Sequence, residues 1–276
     1  MCIGPVGIGL MSDERGLHAK LQIALAGPKG GRMLRTVLVA ALGISAAPAM
    51  ADEARDAFVD ANVLGIFYHE LGHAMIDILD LPIFGQEEDA ADVASVMLID
   101  RLYNEDYATQ MIIDTADAYY AEAMQDAANG EIAFWGIHGA NEQRYYNTIC
   151  VFYGGAPDAR EEMKTVMGLP DDRAAGCPDE YDQADYSWGA VLDKISRDAQ
   201  AQNVFSLRVE EPGAPITEMV MAQEIDALNE DFDIGIDLPV VIKSCGEANA
   251  FYYPDTQSIT ICTEFEAELI DIFNQL

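Results

Sequence analysis

His69 and His73 stand four residues apart with a carboxylate between them, in the run His69-Glu70-Leu71-Gly72-His73. On a helix, positions i and i+4 share a face, so the two imidazoles can grip one ion. Zinc takes two histidines readily, needs a third protein ligand, and keeps its fourth position for water. Glu70 neighbours that face. It can take a proton from an attacking water and later return it to a leaving amine. So short a motif also arises by chance on a buried helix with two satisfied histidines. Two features weigh against chance. Only three of the four histidines follow residue 51, and two of them are here. A suitable third ligand also comes after a short turn.

That ligand lies in Glu87-Glu88-Asp89-Ala90-Ala91-Asp92. Glu88 and Asp92 are again i and i+4. Glu88 would complete a His₂Glu set, and Asp92 would accept the outer ring N–H of a ligating histidine and hold its tautomer. Glu87 and Asp89 compete for the ligand role, but they fall on other faces and suit the first turn of any helix.

These residues need helices to carry them. A long helical stretch runs from Asp52 to about Leu79, apolar on most faces and therefore buried. Leu81-Pro82-Ile83-Phe84-Gly85 breaks it. Further helices are predicted over about Glu87–Tyr103, Asp106–Asn129 (closed by Asn129-Gly130), Asn141–Tyr153, Asp185–Gln202, Met219–Asn229 and Phe265–Leu276. Residues 154–187 read as loop-rich, with Gly154-Gly155, Pro157, Pro170 and Pro178. Strands are predicted at Phe205–Val209, Pro239–Lys243, Ala250–Tyr253 and Ile259–Cys262, with Phe251–Cys262 as a hairpin. The fold class is α+β: a helix-rich, zincin-like domain with a small antiparallel sheet. Asn249 and Ala250 begin a strand against whose edge an extended peptide could lie. Trp135, Trp188 and Tyr119-Tyr120 read as packing residues, and no calcium-loop pattern occurs.

Composition sets the context. The chain has 276 residues, half of them hydrophobic, enough for one sizeable core. Met33-Leu34-Arg35, the apolar run Val37–Ala47 and Ala49-Met50-Ala51 read as a signal peptide starting at Met33 and cleaved before Asp52. Residues 1–51 are thus expected to be presequence, and 52–276 a single domain. The chain has 15 basic and 48 acidic residues; five and two of these precede Asp52, leaving ten and 46 and a formal charge of −36. A polyanion of that strength argues against nucleic acid as a partner and fits a solvated, salt-tolerant surface. No membrane span is expected after signal removal. Four cysteines remain: Cys150, Cys177, Cys245 and Cys262. In an exported chain they suggest two disulfides with three possible pairings, of which the local one, Cys150–Cys177 with Cys245–Cys262, is expected.

The combination of His69-Glu70-Leu71-Gly72-His73 with Glu88, Ala91 and Asp92 resembles the gluzincin class of zinc peptidases. More narrowly, the chain is similar to a family of exported bacterial proteins of unknown function grouped as metallopeptidases. The similarity is carried by Phe67–Ala74, Leu81-Pro82 with Gly85, Glu87–Asp92, Gln143-Arg144-Tyr145-Tyr146 with Cys150, Arg173 with Cys177, and Cys245–Tyr252. In that family the Cys-Gly…Asn-Ala-Phe-Tyr hairpin precedes the zinc helix. Here it lies near the C-terminus, so the order looks circularly permuted. The resemblance implies a distal histidine or tyrosine that stabilises the oxyanion of the scissile carbonyl. His138 matches that need; Arg144 and Tyr145 are weaker candidates, Arg144 being better suited to pairing with a carboxylate.

The reading that follows is a periplasmic or secreted zinc peptidase. His69, His73 and Glu88 would be the metal ligands, Glu70 and His138 the catalytic residues, and a peptide or protein the substrate. The rival readings are a non-catalytic periplasmic zinc-binding scaffold and a metal-assisted hydrolase of some other substrate.

Overall fold

The computed structural model describes residues 47–130, 132–196 and 204–276. Most of the expected presequence, and residues 197–202 of the helix expected over Asp185–Gln202, lie outside them. The long apolar stretch forms α1 (Ala47–Ile78), which starts five residues before Asp52. Its Phe58, Val63, Phe67, Tyr68, Leu71 and Met75 are buried. Apolar residues on most faces need partners on most faces, and α1 is indeed the hub of the fold. It touches α2 (Glu87–Leu102), α3 (Glu105–Asn129), the later helices α9 (Pro215–Asp231) and α10 (Thr263–Phe273), and the sheet.

α1 and α2 approach closely at Gly72, where a Cβ would meet Ala91 Cα and Ala94 Cβ at 3.1 Å. A glycine facing alanines brings α2 hard against α1 beside the histidines. On another face of α1, Tyr68 donates to Glu224 of α9 at 2.6 Å, and Tyr103, just beyond α2, donates to the same carboxylate at 2.8 Å. The helix that carries the histidines is therefore pinned front and back.

α3 begins at its cap Asn104, whose side chain accepts from Tyr107 N, and ends at Gly130 with φ +68°. α4 (Asn141–Gly155) packs on it. The stretch 154–187 is mostly helical, in contrast to the loop expected there. It holds α5 (Pro157–Val166), α6 (Asp171–Ala174), α7 (Cys177–Ala184) and a π-helical turn (Asp185–Gly189), which leads into α8 (Ala190–Ile195). The prolines that read as breaks are helix starters instead: Pro157 and Pro178 sit in the first turns of α5 and α7, and Pro170 caps α6. A first-turn proline gives up no helical hydrogen bond and has its φ already set. Gly154 lets α4 meet α7, because a Cβ there would lie 2.2 Å from Cys177 O.

The strands β1 (Phe205–Val209), β2 (Leu238–Lys243), β3 (Ala250–Tyr253) and β4 (Ser258–Cys262) form one sheet in the order β1-β2-β4-β3. The expected hairpin is β3–β4, antiparallel, with Phe251 opposite Thr260. The rest departs from the antiparallel expectation, since β1–β2 and β2–β4 are parallel. α9 is the crossover between β1 and β2, and a helical crossover returns the chain in the same direction. The class is α+β with a mixed sheet. β3 is an edge strand and packs on α1. Both expected disulfides are present, Cys150–Cys177 joining α4 to α7 and Cys245–Cys262 bracing the hairpin. Among the described residues no helix is long and apolar enough to cross a membrane. These residues belong to one compact unit, Ser45–Leu276.

Burial of acids in so acidic a chain has a consequence for stability. Burial, with Asp56 and Glu266 nearby, pushes Asp60 up to about 6; burial, with Asp117 adding and Gln110 opposing, pushes Asp114 up to about 7. From about pH 4 upward the unfolded chain has lost these protons while the native state still holds them. Stability therefore falls as pH rises through that window. Replacing both with asparagine is expected to raise the melting temperature more at pH 8 than at pH 5. The difference should be on the order of 1–2 kcal/mol for the pair after solvent screening. Equal gains at both pH values would show that the cost is not one of ionisation.

Candidate metal centre

His69, Glu70 and His73 face a cleft of about 850 Å³ between α1, α3, α10 and β3. His69 is almost wholly buried (3% exposed) and Glu70 nearly so (7%). The first turn of α2 closes on them. Glu88 Oε2 lies 3.2 Å from His69 Nε2 and 3.2 Å from His73 Nε2, and the two Nε2 atoms are 3.2 Å apart. The other ring nitrogens are both engaged: His69 Nδ1 with Asp92 Oδ1 at 2.8 Å, and His73 Nδ1 with Glu87 Oε1 at 2.8 Å.

This arrangement dictates where the protons are. An ionised carboxylate only accepts, so each Nδ1 carries a hydrogen, and each ring in its neutral form turns the Nε2 lone pair inward. Two bare nitrogens and a carboxylate oxygen then converge at mutual distances of 3.2 Å. Such a group is repulsive unless a proton or a cation sits among its members. His69 shows the strain: burial opposes its charge, yet its bonds to Asp92 and Glu88 push it up to about 9. Glu88 is driven down to about 2, chiefly by its bond to His69.

A metal fits this triangle. Ligand atoms about 2.0–2.1 Å from a tetrahedral zinc lie roughly 3.3–3.4 Å from one another. The observed triangle is within about 0.2 Å of that spacing, and two imidazoles with one carboxylate is a zinc donor set. Cys245, Cys262 and Glu264 are also close together, but both sulfurs are in a disulfide and offer no thiolate.

Further contacts support the triangle. Arg144, from α4, donates to both oxygens of Asp92 at 2.8 Å and to Tyr119 Oη at 2.9 Å. Burial alone would raise Asp92, but His69 and Arg144 outweigh it and hold the carboxyl well below its ordinary value. Glu70 stands apart from the triangle. Its carboxyl is raised by burial, opposed by His69 and His73, and it accepts the backbone N–H of Tyr252. Tyr252 also donates its hydroxyl to Asp77 of α1 at 2.7 Å, so one strand residue is tied twice to the histidine helix.

The other residues singled out in the sequence land as follows. Asn249 and Ala250 line the cleft at the start of β3. In the β3–β4 ladder Asn249 and Phe251 pair with β4, so the polar backbone of Ala250 and Tyr252 faces the free edge. His138 precedes α4 at the rim, 46% exposed, with Nε2 at 2.9 Å from Glu88 Oε2. It does not join the group of donor atoms lying mutually within 4.8 Å. Arg144 pairs with a carboxylate as expected. Tyr145 is buried and donates to Met167 O, away from the cleft. Asp89 is exposed and lies beside Gly139. The sequence reading did not place Tyr119 or Glu122 at the site. Their signal was the helical phase of Thr115, Ala118, Tyr119 and Glu122, which puts all four on one face of α3 and in the wall of the cleft.

A family profile described as "Putative metallopeptidase" matches residues 38–192 and 215–276, most of the chain. No curated protein and no solved structure matches it.

Proposed function

The chain belongs to this metallopeptidase family, and we propose that it is an exported zinc-dependent peptidase with its centre at His69, His73 and Glu88. The observation that carries the reading is the 3.2 Å triangle of two imidazole Nε2 atoms and one carboxylate oxygen, opening on a cleft that also holds Glu70. Bound there, zinc supplies Lewis-acid chemistry: it acidifies a water molecule and draws charge from a carbonyl oxygen.

The protein's own groups do the rest. Glu70, raised by burial, is the base that takes the water's proton and passes it to the leaving amine. Tyr252 N–H fixes the orientation of that carboxylate. Asp92, locked by Arg144, holds the His69 ring. On the free edge of β3 the carbonyl oxygens of Ala250 and Tyr252 would accept from the extended backbone of the substrate. His138 stands at the rim with Nε2 on Glu88, and once released from that carboxylate the same N–H would be the donor for charge that develops on the scissile carbonyl. The two disulfides suit an oxidising compartment outside the cytoplasm. A storage or scaffold site would need neither the cleft nor a buried carboxylate beside the metal, so the geometry favours hydrolysis.

The test joins metal analysis to hydrolysis of a diverse peptide library. The purified protein should carry one zinc per chain. Chelation should stop cleavage, and added zinc should restore it. Undiminished cleavage by the metal-free protein would remove zinc from the reaction. No cleavage of any peptide by the zinc-loaded protein would remove peptidase activity.

A further inference from the structure

The cleft continues past Glu70 into a recess that the proposed chemistry does not use. Ile66 forms its α1 wall, one turn before Glu70. Ala118 and Glu122 form the α3 wall, and Phe265 and Leu269 of α10 close the end. Ile66, Ala118, Phe265 and Leu269 make its apolar surface, and Asn62, Thr115 and Tyr119 line the same part of the cleft. Glu122 is its one carboxylate, and no hydrogen bond or ion pair holds that group among the described residues. Burial raises it, Glu268 and Asp126 raise it further, and only Arg144 acts the other way. Arg144 is spent on Asp92 and Tyr119.

A half-buried carboxylate without a hydrogen-bond partner, beside apolar side chains in the wall of the cleft, is complementary to a long aliphatic stem with a cationic tip. The surroundings reinforce this. Glu70, Glu122, Asp126 and Glu268 are all acidic, while the charge of Arg144 is cancelled by Asp92. An acidic substrate side chain would be repelled, and a purely apolar one would cover the Glu122 carboxylate without pairing it.

We infer that this recess is the specificity pocket and that Glu122 selects a lysine or arginine next to the scissile bond. This rests on the peptidase reading above, whose site it extends. The pocket makes the substrate class cationic peptides, and the selection would act through a single charge-assisted contact rather than through the general acidity of the surface.

The experiment compares matched fluorescent peptides carrying arginine or its neutral isostere citrulline at each position in turn. Binding is measured at 0.15 M salt, where exposed charges more than about 8 Å away are screened. The protein is the zinc-loaded Glu70→Gln variant, so that binding is read without turnover. At one position arginine should bind roughly tenfold or more tighter than citrulline. In Glu70→Gln/Glu122→Gln that ratio should fall to near one, although the net charge of the chain hardly changes. Glu122→Asp should keep a ratio above one, which separates lost charge from lost folding. An equal affinity for the two peptides at every position overturns the inference, as does a ratio that survives Glu122→Gln. Arginine-dependent binding by a protein that cleaves nothing would sink the peptidase reading and leave the pocket. Cleavage with no arginine preference would do the reverse.

Discussion

Glu70→Gln is expected to keep its zinc and lose hydrolysis by about 10²–10⁴-fold, the usual contribution of a general base. Glutamine has the size of glutamate and can still accept the backbone N–H of Tyr252, so β3 stays in place. It cannot take a proton from water near neutral pH. Glu70 lies outside the triangle of donor atoms, which is why zinc content should not change. Single-turnover kinetics with parallel metal analysis would check this. A variant that cleaves as fast as the wild type would show that the proton goes elsewhere. A variant that loses its zinc would place Glu70 among the ligands rather than beside them.

The second large effect is the loss of the metal itself. Glu88→Gln should weaken zinc binding by at least about 100-fold, because it removes the only charge in the triangle and the oxygen shared by His69, His73 and His138. Stabilisation by the metal should go with it, about 2.7 kcal/mol when free zinc is 100 times the wild-type Kd. Neighbouring acids set the scale. Asp92→Asn, which loosens the His69 ring, is expected to cost 10–100-fold. Glu87→Gln should cost less than tenfold, since that carboxylate is half exposed and reaches only the outer nitrogen of His73. Asp89→Asn should cost nothing measurable. Competition with a chromogenic chelator, together with melting curves at fixed zinc, would rank the four. If Glu87→Gln proves worse than Glu88→Gln, the ligand has been assigned to the wrong face of α2.

The pairing of His69 with His73, and of Glu88 with Asp92, follows from helical periodicity. Periodicity is local: once a stretch is helical, residues four apart must share a face whatever surrounds them. The hairpin, the local disulfides and the boundaries of α2 to α4 were legible for the same reason, since each is set by residues close along the chain; the start of α1 was not, the helix beginning at Ala47 rather than Asp52. Residues 154–187 misled because proline and glycine carry two meanings. Pro157 and Pro178 start helices, and Gly154 permits a helix contact; which meaning applies depends on what packs against the segment.

By itself, then, the sequence determined the chemistry on offer: two imidazoles and a carboxylate on one helix, two further carboxylates on the next, an acidic surface and an even set of cysteines. Tertiary structure decided how those groups are used. Gly72 against Ala91 and Ala94 brings the two helices close enough for three donor atoms to meet at 3.2 Å. β3, some 180 residues along the chain, supplies the N–H that aims Glu70. The parallel pairing of β1 with β2 came with the α9 crossover, and that of β2 with β4 with the antiparallel β3 between them in the chain. Each of these depends on surfaces distant in sequence meeting in space. No local pattern encodes that meeting, because it is settled by which apolar faces bury one another.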